Sequence, residues 1–360
     1  LPVEPTHEPE LTAPIDLCTP DGTRLNPAAR GWSRIPLHRA NLRGRWGRTK
    51  RWDYWAILAG DLAIGLVYAD VDYLGLASVW WGDLATGRTG GVDRAVPGAI
   101  GFHLPDHPGT VPLRHRDRRL ELELFDDGPG PGADPRARAN RAVTTRLRGR
   151  WTERDGRAAE LDVQVHRAAG QESLNVVIPW DDRRFNFTTK AQALPAEGVL
   201  RLGSEERRIG GDAGPAWGVL DVGRGRWPYS TRWNWGGGAG VADTGAVVGI
   251  QVGGKWTEGT GFTENGVIVD GRLHKVGREL EWSYSWDRPM DPWTVRDPGG
   301  ALELTLTPRL DKHGRTDAGV LRTEVHQVFG TWSGWVLDED GGRHVLDGAQ
   351  GFAEESRSRW

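Results

Sequence analysis

Two acidic residues lie where a carboxyl group could transfer protons, and the first is Asp53. It stands within residues 51–55, flanked by Trp52, Tyr54 and Trp55. An aspartate among three aromatic rings loses solvation, so it must pair with a cation or take up a proton. A carboxyl group that keeps its proton near neutral pH can act as a general acid, which makes Asp53 a candidate catalytic residue. The alternative is an Arg–Asp ion pair that ties neighbouring strands together.

The second candidate acid is Glu264, which precedes Asn265-Gly266, a pair typical of hairpin turns. Lys275 is predicted to lie on the returning strand. Only five of the 46 basic residues are lysines, so Lys275 and Lys190 stand out in a chain that otherwise uses arginine. The alternative is that Glu264 is a solvated residue beside a turn, with no chemical role.

Residues 226–235 form an aromatic and polar segment that is predicted to be a strand. Tyr229, Trp233 and Trp235 would point to one side of it, and Arg232 and Asn234 to the other. If the polar side faces an interior, it forms the floor of a pocket. If it faces water, the tryptophans belong to the core.

The segments above, together with Trp286 and Glu354, supply the predicted binding residues. They are aromatic rings, lysines and polar groups that could surround an organic ligand: Trp52, Tyr54, Trp55, Lys190, Tyr229, Arg232, Trp233, Asn234, Trp235, Asn265, Lys275, Trp286 and Glu354.

The elements that must position these residues are strands. Apolar and polar residues alternate in residues 120–124, 161–166 and 302–307, as expected for strands with one buried face. Helical periodicity is nearly absent, and turn signals separate on the order of 16–18 strands at a spacing of roughly 10–12 residues. We therefore predict an all-β protein of two consecutive antiparallel lipocalin-like β-barrels with few short helices. Residues 1–195 would form the N-terminal barrel domain and residues 196–360 the C-terminal one, with a linker at 193–198 or 210–215.

Composition excludes several classes of function. A net charge of -3 argues against a nucleic-acid partner, and no apolar run is long enough for stable membrane insertion. A single cysteine allows neither an internal disulfide nor a cysteine-based zinc site. We expect no cofactor and no metal, a small-molecule ligand or substrate as the partner, and a cytoplasmic location, although a leader removed before residue 1 would leave no trace. The oligomeric state stays open.

Five short motifs together resemble a bacterial family of domains of unknown function, family 2804. They lie at residues 31–34, 50–55, 227–235, 264–275 and 351–354, and the likeness runs from about residue 17 to residue 360. The resemblance implies a lipocalin-like, calycin-type double β-barrel. It also suggests a wider likeness to cofactor-free carotenoid hydratases, tocopherol cyclases and cycloaddition-promoting enzymes, from which no residue role carries over.

The residues favour a cofactor-free enzyme that acts on a bulky organic molecule by hydration, cyclisation or isomerisation. A buried carboxyl group, Asp53 or Glu264, would transfer the proton, and Tyr229, Arg232 and Lys275 would orient the substrate. Tryptophan walls would stabilise developing positive charge. One alternative is a non-catalytic carrier of an apolar ligand. Another is a carbohydrate-active protein, in which aromatic rings stack on sugars and paired carboxylates cleave the glycosidic bond.

Overall fold

The computed structural model describes residues 5–318 and 321–359, and Trp360, which the resemblance reaches, lies outside them. In the described part, strands dominate and helices are short. The helical segments are a 3-10 turn at Pro27–Ala29, the α-helix α1 at Pro135–Ala139 and a 3-10 turn at Gly211–Ala213. None of the helices in the described residues has the length and apolar character that a membrane crossing requires.

The strands up to residue 226 are β1 (Ile15–Asp16), β2 (Trp32–Ser33), β3 (His38–Arg39), β4 (Thr49–Ala59), β5 (Leu62–Asp70), β6 (Leu74–Asp83), β7 (Thr89–Pro97), β8 (Leu113–Arg116), β9 (Leu120–Asp126), β10 (Val143–Thr152), β11 (Ala158–Arg167), β12 (Leu174–Pro179), β13 (Phe185–Leu202), β14 (Glu205–Ile209) and β15 (Trp217–Arg226).

The later strands are β16 (Ser230–Val241), β17 (Val247–Gly254), β18 (Gly266–Val269), β19 (Arg272–Lys275), β20 (Glu281–Ser283), β21 (Trp293–Arg296), β22 (Leu302–Ala318), β23 (Leu321–Leu337) and β24 (Arg343–Arg359).

These strands form two large antiparallel sheets. The first has the order β7-β6-β5-β4-β15-β13-β11-β10-β9-β8, with β14 and β12 also pairing with β13, and β2 pairing with β12. The second has the order β19-β18-β17-β16-β24-β23-β22-β21-β20. A separate parallel pair joins β1 to β3.

The first sheet curls so far that its distant strands share one core. Trp81 on β6 and Trp151 at the end of β10 donate their indole N–H groups to the same carboxylate, that of Glu153, at 2.7 and 2.8 Å. Six positions along the sheet separate these two strands, so only strong curvature can bring them together. Glu153 thereby satisfies two buried donors inside the barrel.

The predicted fold class is confirmed: the chain is all-β and folds as two consecutive antiparallel lipocalin-like sheets. The alternating segments lie in β9, β11 and β22, and their apolar members are almost entirely buried. The described residues form 24 strands rather than 16–18, because several strands of two to four residues carry no alternation that a sequence could reveal.

The suggested linker at 193–198 is wrong, because these residues lie inside the 18-residue strand β13. A bulge between Ala191 and Leu194 bends the strand there, and Ala193 has a φ of 57°. Small residues and a proline at this point allow the bend and do not end the strand. The sheets change over between Arg226 and Ser230. A division of the chain into domains at residue 195 stays a prediction.

The two sheets pack against each other through β4, β13, β16 and β24. Tyr54 from the first sheet lies edge-on to Trp235 from the second, with ring centroids 5.7 Å apart. Gln192 donates to Gln251 at 3.0 Å across the same interface, and both side chains are fully buried. This interface contains the ionisable groups described next.

Candidate functional site

Lys190 is the centre of a buried group of ionisable side chains between the sheets. Its Nζ lies 2.9 Å from Asp221 Oδ1 and 3.3 Å from Glu264 Oε2. Strand pairing sets Asp221 on β15 directly opposite Lys190 on β13. Glu264 precedes β18 of the second sheet, so the lysine joins the two sheets. A third acid, Glu354 on β24, lies close enough to raise the pKa of Lys190 further. We call Lys190 and these three acids the carboxyl cluster.

Each acid of the carboxyl cluster accepts a hydrogen bond from a different tryptophan. Trp52 donates to Asp221 at 3.0 Å. Trp256 donates to Glu264 at 2.6 Å, and Trp233 donates to Glu354 at 2.8 Å. The N–H is the one polar group of a tryptophan side chain and lies in the plane of the ring. Each ring therefore meets its acid with an edge, and its apolar faces are left for other contacts.

Two glycines make room for these side chains. A Cβ on Gly253 of β17 would lie 2.3 Å from Glu264 Oε1, and a Cβ on Gly223 of β15 would lie 2.1 Å from the Trp52 ring. No side chain fits at such distances without displacing the acid or the ring. The glycine content of β15 and β17 therefore serves the placement of Glu264 and Trp52.

Burial sets the proton affinities in the carboxyl cluster. It raises the pKa of Glu264 above its ordinary value, against the opposing effect of Lys190. It also raises the pKa of Glu354 to about 7. For Lys190, burial by itself would lower the pKa, but Asp221 and Glu264 outweigh it, so the pKa is raised and the ammonium form is kept.

The acids outnumber the nearby lysines. Besides Lys190, the partly buried Lys312 lies near enough to Glu354 to interact with its charge, and its Nζ is 5.1 Å from the centre of the Trp80 ring. Burial lowers the pKa of Lys312, while Glu354 acts against that shift. Two lysines face three carboxyl groups, and burial raises the pKa of Glu264 and of Glu354, so this arrangement favours the protonated form of an acid near neutral pH.

Five tryptophans cover this region, and we call them the tryptophan cluster: Trp52, Trp180, Trp227, Trp233 and Trp256. Trp227 lies in the middle and stacks on Trp256, with centroids 5.2 Å apart and planes 12° apart. It also contacts the other three rings at 5.1 to 5.7 Å. Trp52, Trp180 and Trp233 are only partly buried, so solvent reaches the cluster on their side.

The structure brings many of the predicted site residues together. Trp52, Lys190, Trp233, Glu264 and Glu354 belong to the two clusters. Tyr54 and Trp235 lie next to them: the Lys190 ammonium is 4.3 Å from the Trp235 ring centre, and the Tyr54 hydroxyl donates to Gln327 at 3.2 Å. Glu264 is 1% exposed, so it is not the solvated residue of the simpler alternative.

The expected hairpin turn at Asn265-Gly266 is wrong. Gly266 begins β18, and the turn lies at Asp270-Gly271, where both residues have positive φ (46° and 83°). This is the geometry of a two-residue hairpin turn with the right twist. The Asn265 side chain instead joins neighbouring segments: its Oδ1 accepts from Gly253 N at 2.6 Å and its Nδ2 donates to Arg278 O at 2.8 Å.

Asp53 and Trp55 lie elsewhere, in a pocket at the mouth of the first sheet. Asp53 Oδ1 accepts from Arg224 Nη2 at 2.6 Å, and both side chains are buried. This is the cross-strand ion pair given above as the alternative for Asp53. The pocket, which we call the mouth pocket, encloses about 1090 Å³ including its open side, and residues 107–113 and α1 border it.

The mouth pocket and the carboxyl cluster differ in chemistry. All three carboxylates that line the mouth pocket have an arginine partner: Arg224 for Asp53, Arg138 for Asp126 at 2.6 Å, and Arg34 for Glu172 at 3.1 Å. The carboxyl cluster has more acids than cations. The open space therefore lies in one place and the surplus acid in another. Burial raises the pKa of Asp53 and of Asp126 as well, but each of them has a guanidinium of its own that favours the charged form. We therefore place the candidate chemistry at the carboxyl cluster, where the acids outnumber the cations.

The remaining predicted residues lie outside both places. Lys275 pairs with Glu8 at 2.7 Å. Arg232, more than half exposed, pairs with Glu355 at 2.8 Å, while the fully buried Asn234 donates to the Tyr284 hydroxyl at 3.0 Å. The polar side of β16 is thus partly interior and partly exposed. The structure also places two aromatic residues apart from the clusters: Tyr229 is 47% exposed, and Trp286 lies edge-on to His326.

Sequence reasoning missed Asp221, Trp180, Trp256 and Lys312. A signal existed for Asp221, because it is the one charged residue in the apolar run 216–222. An acid in a buried strand must find a cation or a proton. Lys312 could have been singled out because it is one of only five lysines in the chain. Nothing in the spacing of Trp180 and Trp256 relates them to the other tryptophans.

A comparison with family models decides the relationship of the chain. The model described as domain of unknown function DUF2804 matches residues 8–360. The chain belongs to this family. No curated protein matches it.

Several solved structures can be superposed on most of this chain, but they share little sequence with it. A protein described as AttH from Nitrosomonas europaea is 12% identical, with 86% of this chain and 92% of that chain covered and a TM-score of 0.48. Kievitone hydratase from Nectria haematococca is 11% identical, with 87% and 89% covered and a TM-score of 0.49. CghA with Sch210972 is 12% identical, with 87% and 88% covered and a TM-score of 0.44. At this level of likeness they assign neither a substrate nor a reaction to this chain.

Proposed function

We propose that the protein is a cofactor-free enzyme that acts on a bulky organic molecule by hydration, cyclisation or isomerisation. The observation that supports it most is the carboxyl cluster, in which three buried acids share two lysines. A buried carboxyl group that holds its proton at neutral pH is what general acid catalysis requires. The adjoining tryptophan cluster supplies an apolar surface for the substrate.

Glu264 is the proposed proton donor. Its Oε1 accepts the indole N–H of Trp256, whereas its buried Oε2 has the Lys190 ammonium as a neighbour but no well-aligned hydrogen bond. Oε2 is 3.3 Å from Lys190 Nζ, so the carboxylate that remains after proton transfer is stabilised by a nearby ammonium group. Glu354, with its pKa raised to about 7, is the second group that can hold or return a proton.

The proposed reaction begins when Glu264 transfers its proton to an alkene carbon or an oxygen atom of the substrate, leaving a cationic centre. Water adds to this centre in a hydration, an internal alkene or oxygen adds in a cyclisation, and a neighbouring C–H loses its proton in an isomerisation. In each case a proton is released at the end, and Glu264 recovers it. Indole rings near the cationic centre lower its energy by cation–π attraction.

The substrate would enter beside Trp52, Trp180 and Trp233, the partly buried rings of the tryptophan cluster. Glu264 itself is 1% exposed, so these rings must turn aside when a substrate binds. Rings that close again over the bound substrate would keep bulk water from the cationic centre, so that only a nucleophile held in the site reaches it.

The test is deuterium transfer. Purified protein is incubated in heavy water with a fractionated extract of small organic molecules, and the products are followed by mass spectrometry. We expect a product that carries one deuterium on carbon or a newly formed ring, made by the wild type and lost in Glu264→Gln. The amide keeps the shape and can still accept the hydrogen bond from Trp256, but it has no proton to give.

The matched control is Glu121→Gln, a substitution of the same kind at an exposed position of the first sheet. It should react like the wild type. A deuterated product formed equally by Glu264→Gln would contradict the proposed donor, and a wild type that alters no fraction would argue against an enzyme.

A carrier of an apolar ligand is the second candidate, and the mouth pocket favours it. That pocket is open, and each of its three carboxylates, Asp53, Asp126 and Glu172, is paired with an arginine. Native mass spectrometry of freshly purified protein would detect a bound molecule. A molecule that is held and released unchanged, by the wild type and by Glu264→Gln alike, would support the carrier.

A further inference from the structure

A group of histidine and acidic side chains lies on the β22–β23 ribbon, outside both the carboxyl cluster and the mouth pocket. His313 on β22 is directly opposite His326 on β23, and their rings stack with centroids 4.3 Å apart and planes 4° apart. Glu324 Oε1 is 3.1 Å from His313 Nε2. One potential ligand atom from each of these three residues lies within 4.8 Å of the other two.

Asp311 orients one of these histidines. Its Oδ2 lies 2.7 Å from His326 Nδ1, so this carboxylate favours a hydrogen on Nδ1 and leaves the lone pair on Nε2. A carboxylate behind a histidine ring is the usual support of a metal-binding imidazole. The other oxygen of Asp311 is buried without a hydrogen-bond partner.

Alternation along the strands explains why these groups converge. Residues 311 and 313 share one face of β22, and residues 324 and 326 share one face of β23. The register places position 313 opposite 326, which sets both pairs on the same side of the ribbon. His313 lies too far along the chain from Glu324 and His326 to form a recognisable metal motif with them.

We propose that His313, Glu324 and His326 bind a divalent transition-metal ion, with Asp311 as a positioning residue. Two imidazoles and a carboxylate form a donor set suited to zinc and its neighbours, and less suited to calcium or magnesium, which prefer oxygen ligands. Atoms bound to one zinc ion at about 2.0–2.2 Å are roughly 3–3.6 Å apart. To reach that spacing the side chains must rotate, and the two parallel rings must tilt until their lone pairs converge; all three side chains are at least partly exposed.

The experiment uses the full chain, stripped of metal with a chelator, and titrates it with zinc by calorimetry and with cobalt by visible absorption. We expect one equivalent to bind in the micromolar range or more tightly, with cobalt bands of a four- or five-coordinate site. Zinc should also raise the melting temperature, because the ion cross-links β22 to β23.

Variants separate this site from general metal adsorption. His313→Gln and His326→Gln should abolish one-equivalent binding, and Asp311→Asn should weaken it about tenfold or more without removing it. The control is His166→Gln, which alters another histidine paired with a glutamate but without a second histidine beside it. Circular dichroism checks that each variant is folded.

Two results would overturn the proposal. One is the absence of zinc binding by the stripped wild type. The other is weak binding that His313→Gln and His166→Gln retain equally, which would show adsorption at scattered surface groups.

Discussion

Replacing Lys190 by methionine leaves Asp221 and Glu264 without their shared cation. Methionine keeps most of the apolar length of the lysine side chain, so the change removes charge with little loss of packing. The lysine side chain is 6% exposed, and the side chains of its two partners are 11% and 1% exposed. Water therefore cannot replace the lost ammonium group.

The expected cost follows from that burial. Removing one partner of a buried ion pair destabilises a protein by about 3–5 kcal/mol, because a buried charge is left uncompensated. We expect this loss at pH 8, where the carboxyl groups tend to ionise. At lower pH the variant can take up a proton on a carboxyl group that Lys190 kept ionised in the wild type. The difference should then shrink by up to about 1.4 kcal/mol per pH unit for each additional proton.

The assay is urea unfolding followed by tryptophan fluorescence and circular dichroism at pH 8 and pH 5.5. The matched control is Lys255→Met. Lys255 is 28% exposed and lies 3.1 Å from Glu355, which keeps Arg357 at 2.8 Å when the lysine is lost. We expect the control to lose less than about 1 kcal/mol. Equal losses in the two variants, or a loss at Lys190 that does not depend on pH, would refute the charge balance that we infer for the carboxyl cluster.

Two further predictions concern other buried charges. Burial raises the pKa of Glu354 from 4.5 to about 7, so the folded state binds the proton of this group more tightly than the unfolded state does. Glu354 therefore makes the wild type less stable as the pH rises from about 4.5 to 7. Glu354→Gln should flatten that part of the plot of urea midpoint against pH, and an unchanged slope would contradict the shift. Arg224→Met leaves Asp53 buried without its partner and should cost about 3–5 kcal/mol in free energy of unfolding. The same substitution at Arg150, whose ion pair is exposed, should cost less than about 1 kcal/mol, and similar costs at both positions would argue against a tight buried pair.

The strands were predictable where one face is buried and the other wet. In β9, Leu120, Leu122 and Leu124 are buried and Glu121 is exposed, which is the pattern that the sequence displays. The short strands β18 to β21 could not be located well, because four residues hold too few alternations. The failed linker at 193–198 has a similar reason: glycine and proline interrupt strands at bulges as readily as they end them.

For the candidate site, the rarity of a residue type was a better guide to the site residues than the residues next to it in the sequence. Glu264 stood out as an acid before a turn signal with a lysine on the returning strand, and Lys190 stood out as a lysine in an arginine-rich chain. Their contact could not be foreseen, since strand order in the sheets and packing between the sheets determine it. Asp53 had equally strong local signals and found Arg224 instead, because that arginine lies two positions beyond its direct partner Val222 on β15.

The amino-acid sequence by itself determined the β-class of the chain, its curled antiparallel sheets and the residue types available for proton transfer, because alternation and composition act locally. Only the tertiary structure decided which acid received an arginine, which acids share Lys190, and which histidines lie opposite each other. Those choices depend on strand register and on the packing of one sheet against the other, which join positions that are distant along the chain.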